Sequence, residues 1–107
     1  MQNQRVTTPM TSVASGVTTT IPLDPNSTGW CIKLNKDTAT AGTLTLTAVS
    51  PGATTAETVY DSYGAAIVYN AASSTAQTYS FNGQPVDSVI ITPAGLNGTY
   101  KYSFAQW

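Results

Sequence analysis

Among the side chains of this sequence that could take part in acid–base or nucleophilic chemistry are five carboxylates and one thiol. The carboxylates belong to Asp24, Asp37, Glu57, Asp61 and Asp87, and the thiol belongs to Cys31. Acid–base catalysis by carboxylates needs two of them at a defined separation. These five are spread along the chain, in or beside predicted turns, where Asp commonly accepts hydrogen bonds from the backbone. We therefore predict that they are turn residues.

Histidine, the most common catalytic and metal-binding side chain, is absent. Its absence excludes a histidine base, a Ser–His–Asp triad and histidine metal ligands. One cysteine can form neither a disulfide within the chain nor a cysteine-based zinc site. We expect Cys31 to be a small buried or half-buried residue. The sequence thus predicts a protein that is not an enzyme and has no catalytic, cofactor-binding or metal-binding residues.

Charge is scarce over the whole chain. Only 8% of the residues are charged and the formal net charge is −1, whereas about 25% are charged in an average soluble domain. The four basic residues, Arg5, Lys33, Lys36 and Lys101, are scattered, so we expect neither nucleic acid nor a membrane surface as a partner. Ser and Thr take the place of the missing charges. This composition is typical of extracellular β proteins, yet the N-terminus has no apolar run of signal-peptide length.

Apolar and polar residues alternate at period two in several short segments, which is the pattern of half-buried strands. The clearest are 30–34 and 43–47, where Leu44 and Leu46 alternate with threonines; we predict that these two segments pair as a hairpin. The apolar run 89–91 predicts a central strand buried on both faces, which we expect to be broken at 93–95, where Pro93 begins the break. Further strands are predicted at 17–23, 58–60, 66–69, 77–81 and 99–107. About seven or eight strands with turn signals between them predict an all-β chain, folded as a single antiparallel β-sandwich or jelly roll.

The first sixteen residues are polar and show no sustained period. We predict an extended N-terminal arm over 1–16 and a β-sandwich domain over 17–107. The sizeable side chains of the arm are Arg5, Val6, Pro9 and Met10, and we predict that they contact a neighbouring subunit, because an extended arm can reach across a seam. Trp107 ends the chain. Either it folds back onto the sandwich or it packs against a neighbour, and it completes the candidate interface.

Three segments carry a resemblance to a known group of proteins. They are the opening 16–24, the strand 42–47 and the closing pair 89–92 and 98–102. In their order and style they resemble small β-rich virion proteins of tailed bacteriophages. The resemblance implies a structural protein of the virion, assembled in the host cytoplasm. Its most specific form is a capsid decoration or cement protein that binds and stabilises the head shell through subunit interfaces. The implied partners are the major capsid protein or another virion protein, and further copies of the chain in a homo-oligomer such as a trimer.

Two other functions are compatible with the residues. A tail fibre or host-receptor-binding module would contact glycans through aromatic side chains such as Tyr60, Tyr63 and Tyr69. An immunoglobulin-like domain of a surface adhesin is the other alternative. Its basis is the segment 96–100, which is similar to the turn before a late strand in such domains, where a tyrosine anchors a corner.

Overall fold

The computed structural model of the chain describes residues 6–72, 75–82 and 86–107, and of residues 6–10 it describes the backbone alone. Nine strands and no helix are present in these ranges, so none of their segments is a helix able to span a membrane. The strands are β1 (Val6–Val13), β2 (Thr19–Pro22), β3 (Gly29–Lys36), β4 (Thr43–Val49), β5 (Glu57–Thr58), β6 (Val68–Asn70), β7 (Gln77–Asn82), β8 (Ser88–Ala94) and β9 (Tyr100–Gln106).

The strands form two antiparallel sheets that pack face to face. The first sheet has the order β1-β9-β3-β7, and the second has the order β2-β8-β4-β5, with β6 also paired to β4. Buried side chains from both sheets form one core, in which Trp30 stacks on Phe81 with ring centroids 4.3 Å apart. The prediction of an all-β, antiparallel sandwich is confirmed.

The alternating segments 30–34 and 43–47 are strands, but they do not pair with each other. β3 lies in the first sheet and β4 in the second, so the predicted hairpin is wrong. Ile32 and Leu46 are both buried, and they reach the same core from opposite sheets. Alternation determines which face of a strand is buried, but it carries no information on the neighbouring strand.

β8 differs from its prediction in two ways. Val89 and Ile91 are fully buried, but Ile90 is only half-buried, because it lies on the outer face of the second sheet. The strand also continues through Pro93, which the sequence predicts as a break. The pairing with β2 extends only as far as Ile91 opposite Thr19. Beyond that point β8 pairs with β4 alone, so Pro93 occupies an edge position, where a missing N–H is tolerated.

β5 and β6 together occupy one strand position beside β4. Thr58 pairs with Thr47, and Val68 pairs with Thr45, both antiparallel. Between them the chain leaves the sheet and returns through an antiparallel bridge that joins Tyr60 to Ala66. Residues 60–66 therefore form a short projection from the sheet edge, which we call the finger.

Residues 6–13 of the predicted arm form the extended edge strand β1. It pairs with β9 from Val6 opposite Gln106 to Val13 opposite Tyr100, with a shift in register between Thr8 and Thr11. Pro9 lies in this shift. The division of the chain into an arm and a domain at residue 16 stays a prediction.

Candidate assembly surfaces

The acidic residues serve the loops. Asp24, Asp37, Asp61 and Asp87 each accept a hydrogen bond from a backbone N–H or a hydroxyl group, whereas Glu57 lies on β5. The interpretation of these four aspartates as turn or loop residues is confirmed. No group of three or more His, Cys, Asp or Glu side chains that could hold a metal ion occurs among the described residues.

Asp37 joins three parts of the fold at one end of the sandwich. Its Oδ2 accepts hydrogen bonds of 2.9 Å from the hydroxyl groups of Ser12, on β1, and Thr99, just before β9. These two bonds hold the pKa of Asp37 below its usual value, against the opposing effect of desolvation and with a smaller contribution from the charge of Lys101. The carboxylate form is therefore the one that ties these segments together.

The outer face of the second sheet carries no charged side chain; Glu57 of β5 pairs with the inward-facing Ala48 and so belongs to the opposite side of its strand. Outward positions alternate with buried ones such as Leu44, Leu46, Val89 and Ile91. They are Thr20 and Pro22 on β2, Thr43, Thr45, Thr47 and Val49 on β4, Thr58 on β5, Val68 and Asn70 on β6, and Ser88, Ile90, Thr92 and Ala94 on β8. We call this surface the threonine face. It contains hydroxyl and aliphatic groups and the amide of Asn70, and not one charge.

The outer face of the first sheet has a different character. Lys33 and Lys101 point outward from it, because each alternates with buried core residues of β3 and β9. Between the strands lies a depression of about 180 Å³, which we call the dimple. It is lined by Cys31, Ile32, Lys33, Thr78, Ser103, Phe104 and Ala105. Cys31 is half-buried there and free, as the sequence predicts.

The finger is held by hydrogen bonds of its own. The Asp61 N–H donates to the Ala65 carbonyl at 2.8 Å, and Asp61 Oδ1 accepts from the N–H groups of Tyr63 and Ala65 at 2.9 and 3.0 Å. Gly64 has φ +80°, the left-handed conformation that closes the turn. The finger lies beside β7: burial and then the charge of Asp61 raise the pKa of Tyr79. This turn presents Tyr63 with 93% of its surface exposed.

The three tyrosines predicted for glycan contact lie in different environments. Tyr63 is almost fully exposed and Tyr60 is 58% exposed, but Tyr69 is in the core with 1% exposed. The Tyr69 hydroxyl accepts from the Lys36 N–H at 3.1 Å, so this side chain connects β6 to β3 across the sandwich. Tyr69 is therefore a structural residue.

The predicted interface residues are not all described. Arg5 lies outside the described residues. Val6, Pro9 and Met10 lie on β1, where the backbone places them at the open edge of the first sheet beside β9. Their role in contacts between subunits stays a prediction.

Trp107 folds back onto its own sandwich. The backbone N–H of Trp107 donates to the Gly29 carbonyl at 3.1 Å. The backbone oxygen of Trp107 accepts from the backbone N–H groups of Thr28 and Gly29 at 2.6 and 3.2 Å. The indole ring covers Gly29 so closely that a Cβ at that glycine would lie 2.7 Å from Trp107 Nε1. Of the two predicted positions for Trp107, the structure shows the first, and a contact with a neighbour stays a prediction.

Sequence reasoning missed the finger and the dimple. The finger has a local signal, since Asp61 followed by Gly64 is a typical turn pattern that leaves the two residues between them exposed. The dimple has none, because it depends on the register that sets Cys31 opposite Ala105 and Lys33 opposite Ser103.

Comparison with known proteins gives two informative structures. No family model and no curated protein matches the sequence. The fold is similar to that of the SPBc2 prophage-derived protein YomS, with TM-score 0.55 and 10% identity over 99% of this chain and 96% of that one. It is also similar to a chain from Bacillus endospore appendages described as disulfide-linked pili, with TM-score 0.54 and 19% identity over 99% of this chain and 88% of that one. At these identities the likeness shows a shared fold.

Proposed function

We propose that the chain is a non-enzymatic structural protein of a phage virion, and that it acts as a capsid decoration or cement protein on the head shell. The observation that carries this proposal is the threonine face, a strand surface of the second sheet without a charged residue. Its partner is the major capsid protein or another virion protein, together with further copies of the chain.

The threonine face suits a contact that must form many times. Lys and Glu side chains lose much rotational freedom when they are immobilised, whereas the short β-branched Thr loses little. An uncharged face also has no ions to desolvate when it meets another surface. A standard interface buries about 1,600 Å² in total, and many copies of it would oppose expansion of a shell from inside.

The strand order supports a jelly roll as the specific form of the sandwich. Consecutive strands cross from one sheet to the other at nearly every step, and β4 to β6 are the exception. Two four-position sheets connected in this way are typical of the jelly-roll domains of viral capsids. The prophage-derived neighbour agrees with a phage origin at the level of the fold.

The test is to find whether the chain is bound to phage particles in a lysate of the host cells that produce it. Particles are separated from soluble protein on a density gradient, and the chain is detected in each fraction with an antibody. We expect it to sediment with intact heads. Its confinement to fractions that lack particles would overturn the proposal.

A matched pair of variants tests the threonine face itself. Thr47→Lys places a charge at the centre of this face, beside Ile90 and Thr58, and we expect it to lower the amount of chain on particles at least tenfold while the fold is retained. Thr55→Lys makes the same change in an exposed loop residue and should leave the occupancy unaltered. Equal occupancy for the two variants would show that another surface makes the attachment.

A second candidate is the subunit of a surface filament. It is favoured by the similarity to the endospore appendage chain, which covers 99% of this chain. The same fractionation separates the two, because a filament subunit would be found with the sheared surface appendages of the cells and not with phage heads.

A further inference from the structure

We propose that Tyr63, at the tip of the finger of one copy, inserts into the dimple on the first sheet of a second copy. This contact rests on the proposed structural role and gives it a specific route of self-association. The partner is therefore another copy of this chain, bound through two different surfaces.

The finger has the properties of a preorganised knob. Tyr63 is 93% exposed, although its turn is fixed by the hydrogen bonds of Asp61 to the N–H groups of Tyr63 and Ala65. Among the described residues, the other large exposed hydrophobic side chains have only about half of their surface exposed: Tyr60 58%, Val17 48% and Val68 47%. Burial of this exposed aromatic ring by a partner is favourable, and since the backbone of the turn is already held by hydrogen bonds, only the side chain has to be ordered on binding.

The dimple has the size and lining to receive one ring. Its volume of about 180 Å³ exceeds the ~150 Å³ of an engineered apolar cavity that binds benzene. Its floor is formed by small residues, Cys31, Ser103 and Ala105, that lie on adjacent positions of β3 and β9. Small side chains between larger neighbours leave the depression that a phenol ring can fill.

The charges of the two surfaces are complementary. Asp61 lies two residues before Tyr63 on the finger, and Lys33 lines the dimple. With the ring inserted, the Lys33 ammonium can pair with the Asp61 carboxylate or lie against the ring face, and either contact is favourable. The reverse arrangement, finger against finger, would bring two Asp61 carboxylates together.

The contact joins different parts of the molecule, so it can repeat. The finger projects from the edge of the second sheet, whereas the dimple lies on the outer face of the first. A contact between unlike surfaces leaves a free finger at one end of the pair and a free dimple at the other, and such head-to-tail contacts give rings or filaments.

The native thiol provides a direct test. Cys31 lines the dimple and is the one cysteine of the chain. In the full-length Ser62→Cys variant, which keeps the Tyr63 ring, the introduced thiol of one copy would lie beside the dimple that holds Cys31 of the next, and a short bifunctional maleimide should give a ladder of dimers, trimers and higher species on a denaturing gel. The control Tyr60→Cys, at the base of the finger, should give at most a tenth of this yield. The double variant Ser62→Cys/Cys31→Ser should give no species above a dimer. Absence of the ladder, or a dimer from the double variant in the same yield, would overturn the contact.

Analytical ultracentrifugation of protein that has not been cross-linked measures self-association independently. Tyr63→Ala should weaken self-association at least tenfold, as expected for the loss of a central aromatic anchor, and Tyr63→Phe should change it by no more than about threefold, since it keeps the ring. Tyr63→Ala with unchanged self-association and normal occupancy on particles would refute this contact and leave the structural role intact. A wild-type chain absent from particles would refute the structural role, whatever the cross-linking result.

Discussion

At the scale of single residues, Tyr100 shows how a buried polar group secures the fold. The side chain has no exposed surface, and its hydroxyl donates to the Val17 carbonyl at 2.8 Å and accepts from Thr19 Oγ1 at 2.7 Å. Burial raises the pKa of Tyr100, partly offset by the bond from Thr19. The residue thus anchors the connection between β1 and β2 to β9. A corner tyrosine would instead bond to the backbone a few residues upstream, so the similarity of 96–100 to that turn does not extend to this bond.

The first prediction removes this hydroxyl. Tyr100→Phe leaves the Val17 carbonyl and the Thr19 hydroxyl, both part-buried, without this partner, and we expect the free energy of unfolding to fall by about 1 kcal/mol. Urea denaturation measures the change. Tyr63→Phe, at an exposed position, is the matched control and should stay within about 0.5 kcal/mol of wild type. Equal values for the two variants would contradict the anchoring role.

The second prediction concerns the close contact of Gly29 with the end of the chain. A Cβ at Gly29 would lie 2.7 Å from Trp107 Nε1 and 2.8 Å from the carbonyl oxygen of Phe81. The indole can move, but the carbonyl belongs to a strand paired with β3. We expect Gly29→Ala to lower the free energy of unfolding by about 1–3 kcal/mol and to change the tryptophan fluorescence.

Deletion of Trp107, alone and combined with Gly29→Ala, tests whether the indole causes this loss of stability. In a chain that ends at Gln106, part of the crowding at residue 29 is gone, so Gly29→Ala should destabilise it less than it destabilises the full chain. A full chain that tolerates the substitution without loss of stability would show that Trp107 does not pack on Gly29 in solution.

At the scale of elements, one end of the sandwich is tied together by loop side chains. The Asn97 side chain accepts from the N–H groups of Thr40 and Ala41 and donates to the Thr40 hydroxyl. Asp37 adds the bonds from Ser12 and Thr99 described above. These contacts connect β1, the β3–β4 loop and the β8–β9 loop, elements that are distant in sequence, so this end depends on a titratable group.

The third prediction is an acid-dependent loss of stability from Asp37. Because its pKa is lowered in the folded chain, the carboxylate stabilises the fold at neutral pH. The stabilisation is lost as the pH falls below the usual aspartate value of about 4 and through the folded pKa. Thermal unfolding between neutral and strongly acidic pH should therefore show a smaller drop in Tm for Asp37→Asn than for wild type. Ser12→Ala removes the hydroxyl that has the largest effect on the pKa of Asp37 and should make the acid-induced drop in Tm smaller, but by less than Asp37→Asn does. Parallel Tm curves for all three chains would contradict the assignment.

The positions of several strands could be predicted from the sequence, whereas the pairing between strands could not. The segments 30–34 and 43–47 are strands with the expected buried faces, because alternation reports burial directly. Their partners were not predictable, since pairing depends on how the loops cross between the sheets. Pro93 is tolerated because β2 begins only at Thr19, opposite Ile91, and so does not pair with Pro93, a fact about a distant segment. The dimple is likewise a product of register and not of local pattern, whereas the finger has a local signal in Asp61 and Gly64.

At the scale of the whole molecule, the two outer faces differ in charge. The first sheet displays Lys33 and Lys101, whereas the threonine face displays none. One outer face is thus free of charge. Of the described charged residues, Lys33 and Lys101 lie on the other face, Lys36 ends β3, Glu57 lies on the edge strand β5, and the four aspartates lie in the loops. A sandwich with one neutral and one charged face can contact two kinds of surface, such as a shell on one side and another copy of the chain on the other.

The last prediction uses salt to separate these two contacts. The screening length falls from about 10 Å at 0.1 M salt to about 3 Å at 1 M. Attachment through the neutral threonine face should be insensitive to NaCl over this range and strengthened by sulfate, which favours burial of apolar surface. The proposed contact between finger and dimple has an ionic part in Asp61 and Lys33, so the yield of the cross-linked ladder should fall as NaCl rises. Co-sedimentation with particles and the cross-linking gel measure the two separately. A steep loss of particle-bound chain in NaCl would show that the charged face, and not the threonine face, makes the attachment.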